Sequence, residues 1–237
     1  MASNFVHQLA NAISSHSPLP AFEEKLSLND AYEMQHELTK VLCQNGSGGI
    51  KAGVTATPIQ QYFGLNHALI ASLYPNSRYG ADAKVPFIEG QGIELEVATL
   101  IDGEGRPKAI APAIELVFVK FSNQEDMTAS NLVASNLGAD AYIIGDFVPW
   151  DDGFEDLKAT LLCDGDKVSE ANMNDAIGGA KPATEWMYRE AIARGFACPE
   201  DTLFMTGACG PLVPSKPGAY ELSIPELRAL AFEIEAD

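Results

Sequence analysis

The sequence predicts an α+β fold, and three observations carry that expectation. Helical periodicity gathers in the first 48 residues. Strand-like runs fill the middle and the end. The two kinds of element do not alternate as a parallel βαβ sheet demands. With 237 residues and 46% hydrophobic content the chain has enough apolar material for one ordinary core. The expected organisation is a single domain over 1–237, with an N-terminal helical segment at 1–48 and a strand-rich core at 49–237.

The elements follow in order. The opening stretch, residues 1–16, reads as an amphipathic helix; it has no basic n-region or long apolar run, so it does not read as a signal peptide. Asn29 is placed to cap a second helix, whose apolar positions Ala31, Met34, Leu38, Val41 and Leu42 recur at helical spacing. Asn45-Gly46 and Gly48-Gly49 end it. A short strand is expected at 50–54. Thr57-Pro58 has the N-cap and N1 pattern of a short helix that stops at Gly64. Residues 93–101 alternate in polarity before a turn at Asp102-Gly103. Further strands are expected at 113–121 and 141–145, and a hairpin folds about Asp164-Gly165. A helix begins at Pro182, turns Trp186, Ala191 and Ile192 inward, and closes at Gly195. Late strands at 202–206 and 219–224 are joined by a loop over 207–218, and a last strand runs over 228–234.

Charge narrows the function. Fifteen Lys and Arg against 33 Asp and Glu give a net charge of −18, which argues against nucleic acid or an anionic membrane as partner. No apolar run approaches the ~20 residues of a spanning helix. The cysteines at 43, 163, 198 and 209 form no CxxC pair, so zinc and thioredoxin-like chemistry are not expected, and free thiols suit a reducing cytoplasm. The four histidines show no metal-ligand spacing, and there is neither a nucleophile elbow nor a P-loop.

The sharpest chemical feature is Ile93-Glu94-Leu95-Glu96-Val97. Side chains alternate across a strand, so Glu94 and Glu96 share a face, roughly 6–7 Å apart. Exposed, they need only water; buried, they need a cation. Glu115 lies in the apolar run Ala113 to Val119, where a lone carboxylate is costly to bury. It pairs either with Lys51, Lys120 or an Arg, or with a metal shared with the other two. Three carboxylates suit a hard ion such as Mg²⁺ or Mn²⁺. Lys51, among small and apolar residues, reads as a snorkelling lysine or as a group that neutralises a substrate carboxylate and moves protons. Thr206-Gly207-Ala208 opens a glycine-rich turn whose N–H groups could face an anion.

Together these segments resemble the 2-keto-4-pentenoate hydratase family, which includes 4-oxalocrotonate decarboxylases and is related in its core to the fumarylacetoacetate hydrolases. Asp30-Ala31-Tyr32 with Gln35 is similar to the family's N-terminal helix. Lys51-Ala52-Gly53-Val54-Thr55 is similar to its K-x-G-L-T segment, and Gln60-Gln61 with Phe63-Gly64-Leu65 to the helix that follows. Ile93 to Val97 matches I-E-x-E-I/V, Pro112-Ala113-Ile114-Glu115 is similar to P-A-L-E, and Thr206-Gly207-Ala208 with Gly210-Pro211 and Pro217-Gly218 resembles the closing loop.

The resemblance implies a fumarylacetoacetase C-terminal-domain-like mixed β-roll or barrel flanked by helices, usually oligomeric. It implies Mg²⁺ or Mn²⁺ on Glu94, Glu96 and Glu115, Lys51 as the catalytic residue, and substrate contacts from Lys51, Thr55, Thr206 and Gly207. The implied reaction is a hydro-lyase step on a small 2-hydroxy-2,4-dienoic or 2-oxo acid through enolate stabilisation, in cytoplasmic aromatic catabolism. Two other activities use the same cage, 2-oxo-acid decarboxylation and fumarylpyruvate-type C–C hydrolysis with His67 as base; a third alternative is binding of the acid without turnover. Leu69 stands where the family carries an Asp, Gly138 where it carries a Ser, and Gly178-Gly179-Ala180 where it carries G-H-P, so the cage is retained while the surrounding proton-transfer groups differ.

Overall fold

The computed structural model describes residues 3–44, 46–154 and 156–236. Met1, Ala2 and Asn45, which belong to the expected N-terminal helical segment, lie outside the described residues. Helix α1 (Asn4–Ser14) is capped by Ser3, whose hydroxyl accepts from the Val6 amide, and buries Val6, Leu9, Ala10 and Ala12. Helix α2 (Leu28–Leu42) is capped two residues before the expected position. Ser27, not Asn29, caps it, in a reciprocal box with Asp30 that satisfies two amides at once.

Strand β1 (Gly49–Gly53) follows, then α3 (Thr57–Tyr62), β2 (Leu69–Leu73), β3 (Arg78–Tyr79), β4 (Ala83–Pro86), β5 (Gly92–Ile101) and β6 (Pro107–Val117). The cap of α3 falls on Ala56, which offers no side-chain acceptor, so Thr57 is already helical. Strand β6 begins six residues earlier than the apolar run suggested and stops at Val117. Pro107, Ala109, Ile110 and Ala111 are drawn into pairing because the turn at 102–106 makes β5 and β6 one long hairpin, closed by the Asp102 amide donating to the Arg106 carbonyl.

The second half carries α4 (Ala129–Ala134), β7 (Ala139–Ile144), β8 (Val148–Pro149), β9 (Lys158–Cys163), β10 (Asp166–Asn172), α5 (Ala180–Ala193), β11 (Leu203–Met205), β12 (Cys209–Pro214), β13 (Gly218–Ser223) and β14 (Leu230–Glu235). The Asp164-Gly165 hairpin forms, with Cys163 opposite Asp166. Two expectations fail here. The stretch 207–218 is not all loop, because β12 pairs with β5. Ile192 does not face inward: it is exposed, while Ala183, Met187 and Ala191 carry the buried face of α5.

The strands form two sheets. The larger runs β2-β1-β11-β5-β6-β7-β3, with β12 also on β5 and β8 on β6; the smaller runs β10-β9-β13-β14-β4. Antiparallel and parallel pairs are mixed, which together with the helices makes the fold α+β. The main core lies between the sheets, where Ile93, Leu95, Val97, Ile114 and Leu116 meet Leu161, Leu222 and Ile234. A second core packs β1 and β2 under α2, α4 and α5. Strand alternation then turns Glu94, Glu96 and Glu115 away from the inter-sheet core. No helix among the described residues is long and apolar enough to cross a membrane.

Candidate active site

Strands β5 and β6 place the three glutamates. Glu94 and Glu115 are register partners directly across the ladder, and Glu96 sits opposite Ala113, diagonal to Glu115. One carboxylate oxygen from each of the three lies within 4.8 Å of the others. Glu96 and Glu115 are fully buried, and Glu94 is half-buried at the edge of a cavity. Like charges directly opposite on a ladder repel, so this geometry persists only with compensation.

Part of that compensation is Lys51. It stands on β1, 2% exposed, with Nζ 2.7 Å from Glu115 Oε1 and donating to the Leu137 carbonyl at 3.2 Å. The lysine is thus neither snorkelling nor exposed. One ammonium against three carboxylates leaves negative charge over, and Glu96 Oε1 and Glu115 Oε2 have no hydrogen-bond partner among the described residues. Burial raises the pKa of Glu94 against the pull of Lys51. Burial also raises Glu96 well above the usual carboxylate range, helped by the charges of Glu115 and Glu94. Glu115 is pushed up to about 7 by burial, with Lys51 opposing. For Lys51, burial disfavours the ammonium, but Glu115, Glu94 and Glu96 outweigh it and hold the group above its ordinary range. Orphaned buried carboxylate oxygens, all hard donors and converging on one point, fit a divalent cation of the Mg²⁺, Mn²⁺ or Ca²⁺ type.

The other expected site residues take different places. Thr55 lines the cavity, but its hydroxyl donates to the Ala208 carbonyl at 3.1 Å. Thr206 and Gly207 do not line it. The Thr206 hydroxyl donates to the Val97 carbonyl, and the Gly207 amide donates to Glu96 Oε2 at 2.9 Å. The glycine turn therefore serves the carboxylate. Gly207 has φ +104°, and a Cβ there would collide with Thr55. His67 is also absent from the cavity, its Nδ1 lying 2.6 Å from the Ala68 carbonyl. Leu69, in place of the family's Asp, is wholly buried in the helix-covered core.

One positioning segment escaped the sequence reading. Asn136, Leu137 and Gly138 all adopt left-handed backbone (φ +63°, +53° and +67°). Asn136 clamps the edge strand β2 by accepting from the Ser72 amide and donating to its carbonyl. This turn aims the Leu137 carbonyl at Lys51. Asn and Gly tolerate positive φ and hint at the turn; Leu137 gives no signal. The cavity itself measures about 430 Å³, and Lys51 and Glu94 are its only titratable lining groups among the described residues. A larger cavity of about 530 Å³, bordered by His36, Arg78 and Phe196, contains none of the expected site residues.

No protein-family model matches the chain. It is 23% identical to a 2-keto-4-pentenoate hydratase of Paraburkholderia xenovorans, covering 97% of this chain and 93% of that one. Its fold matches a 4-oxalocrotonate decarboxylase from Pseudomonas putida G7, complexed with magnesium and adipate, at TM-score 0.86 and 17% identity over 98% of this chain and 96% of that one. A fumarylpyruvate hydrolase from Pseudomonas aeruginosa, in complex with Mn²⁺ and pyruvate, matches at TM-score 0.58 and 12% identity over 79% and 89%. By sequence the chain is a distant relative of the 2-keto-4-pentenoate hydratases over nearly its whole length, and its fold is the fumarylacetoacetase-like one that its motifs imply.

Proposed function

We propose that the protein is a metal-dependent lyase of the hydratase type, acting on a small 2-hydroxy-2,4-dienoic or 2-oxo acid. The carrying observation is the cluster of three carboxylates, with orphaned oxygens, at the edge of a cavity whose only cationic side chain among the described residues is Lys51. Glu94, Glu96 and Glu115 would hold Mg²⁺ or Mn²⁺. A divalent ion held there supplies Lewis-acid stabilisation of enolate charge. The relatives' names, and the magnesium and manganese in structures of the same fold, support this reading.

The chain's own groups then have distinct tasks. Lys51, kept cationic by Glu115, draws the substrate carboxylate to the cavity floor and carries the proton exchanged at the substrate's carbon chain. Glu94, the cavity's other titratable lining group among the described residues, would be committed to the cation. Gly207 fixes Glu96 through its amide, and Leu137 fixes Lys51 through its carbonyl. Hydrolysis with His67 as base gains no support, since that ring lies outside the cavity. The reading carries with it a cytoplasmic homo-oligomer serving aromatic catabolism.

The test is the ultraviolet absorbance decay of 2-hydroxypenta-2,4-dienoate with and without Mg²⁺. Metal-dependent decay to 4-hydroxy-2-oxopentanoate is expected. No decay, with CO₂ released from 4-oxalocrotonate instead, would assign the cage to decarboxylation.

A further inference from the structure

The cavity of about 530 Å³ lies on the far side of β1 from the carboxylates. Ile50 of β1 and its register partner Ser72 of β2 both line it. Side chains alternate along a strand, so Lys51, the next residue on β1, points to the opposite face. The volume suits a multi-atom ligand rather than a single ion. Its charges suit an anion. Lys40, from the last turn of α2, and Arg78 of β3 border it, and the ion pairs among the described residues are made by other lysines and arginines. The acids on its rim, Glu200 and Asp201, are both held by Lys108, at 2.8 and 2.6 Å. Two lining hydroxyls stand idle. Thr39 Oγ1 is buried with no hydrogen-bond partner among the described residues. Ser72 is only 2% exposed; Asn136 takes up its amide and carbonyl, and its hydroxyl makes no hydrogen bond among the described residues. In a chain of net charge −18, an anion is held only where cations and hydroxyl donors are gathered locally.

We propose that this cavity is an effector site for a small doubly charged oxyanion, a phosphate group or a dicarboxylic acid, held by Arg78 and Lys40 with hydroxyl donation from Thr39 and Ser72. A guanidinium fork matches the paired oxygens of either group, and the ammonium meets the second charge. Occupancy reaches Lys51 through Ser72. Asn136 bonds both main-chain groups of Ser72 and opens the left-handed turn whose Leu137 carbonyl accepts from Lys51. A ligand that orders Ser72 therefore acts on the segment that positions Lys51, and the two sites share one coupling free energy. Binding of the anion stands apart from the proposed reaction; only its effect at Lys51 rests on that reading.

Calorimetric titration of the metal-free protein in EDTA tests the site, because the unfilled carboxylate cage repels anions under that condition. Inorganic phosphate and succinate are the two probes, and the one that binds more tightly identifies the ligand's chemistry. A Kd of about 1 mM or tighter is expected for at least one of them, weakened about fivefold or more in Arg78→Gln and in Lys40→Gln. Both variants replace exposed side chains, so folding is not at stake. No binding of either probe, or binding unchanged in both variants, overturns the site. The effect at Lys51 is read from oxalate affinity in the presence of Mg²⁺, with and without the saturating probe. A change of about fivefold or more is expected in the wild type and should vanish in Arg78→Gln. No change, or a change that persists in Arg78→Gln as competition at the cage would, overturns the effector role. Failure of oxalate to bind with Mg²⁺ overturns the cage reading and with it the effect at Lys51, while the titration in EDTA still decides the anion site.

Discussion

Glu94 and Glu115 face each other directly across the β5–β6 ladder, two carboxylates in register on the same side of a sheet. Nothing in strand packing favours that pairing, which costs free energy in the metal-free protein. The variant Glu94→Gln should therefore raise the Tm of the metal-free protein, by roughly 0.5–1 kcal/mol of stability, while abolishing the Tm gain that Mg²⁺ gives the wild type. Differential scanning fluorimetry with EDTA and with Mg²⁺ checks both signs at once.

Glu115→Gln should behave in the opposite way. Its carboxylate is the ion-pair partner of buried Lys51, and removing one member of a buried pair costs about 3–5 kcal/mol. The metal-free variant should thus melt lower than wild type, although it too carries one carboxylate fewer. Lys51→Met should lower kcat by about 10²-fold or more, as expected for loss of a proton-transferring group.

The pH dependence follows from the raised carboxylates. Glu94, Glu96 and Glu115 all hold protons more tightly when folded than at their ordinary value of 4.5, Glu115 up to about 7. The folded state therefore binds more protons than the unfolded state in that window. The stability these groups contribute is complete below about pH 4.5 and is lost as pH rises through the folded values. Metal-free protein should melt progressively lower from pH 5 to pH 7.5. The Mg²⁺-induced gain should grow over the same range, because the cation needs the deprotonated carboxylates. A Tm that rises with pH in EDTA would refute the assignment of burial as the dominant influence.

Much of this was legible in the sequence, for physical reasons. The period-two alternation of Glu94 and Glu96 against Ile93, Leu95 and Val97 survives intact, because one face of β5 must enter the inter-sheet core. Glu115 stood out because its neighbours are apolar. Its two alternative partners, Lys51 and a shared cation, prove compatible, since one ammonium does not balance three carboxylates. What stayed hidden depends on contacts distant along the chain. Nothing local announces that Gly207 donates to a carboxylate 111 positions away, or that the Leu137 carbonyl meets Lys51 across 86. The strand at 209–214 was also invisible, since Gly210, Pro211 and Pro214 read as a loop until β5 supplies a partner.

Gly207→Ala tests the hidden layer. The residue has φ +104°, and its added Cβ would strike Thr55, so the turn must shift and withdraw the amide from Glu96. Strain of about 1–3 kcal/mol is expected in stability, with Mg²⁺ affinity weakened about tenfold or more, as for loss of an outer-shell partner. Isothermal titration with Mg²⁺ checks the second effect; unchanged affinity would show that Glu96 needs no such support.

Asn136→Ala should cost about 2–4 kcal/mol, because it strands both the amide and the carbonyl of buried Ser72. If the left-handed turn loosens with it, kcat falls as Lys51 loses its carbonyl partner. Urea denaturation and steady-state kinetics on the same preparation separate the two effects.

The most direct measurement is Mn²⁺ titration followed by electron paramagnetic resonance, on the wild type and on Glu96→Gln. Binding of one Mn²⁺ per chain in the wild type, displaced by Mg²⁺ and lost in the variant, is the predicted result. A wild type that leaves the free-Mn²⁺ signal undiminished, or a variant that binds as the wild type does, would contradict a metal centre on Glu94, Glu96 and Glu115.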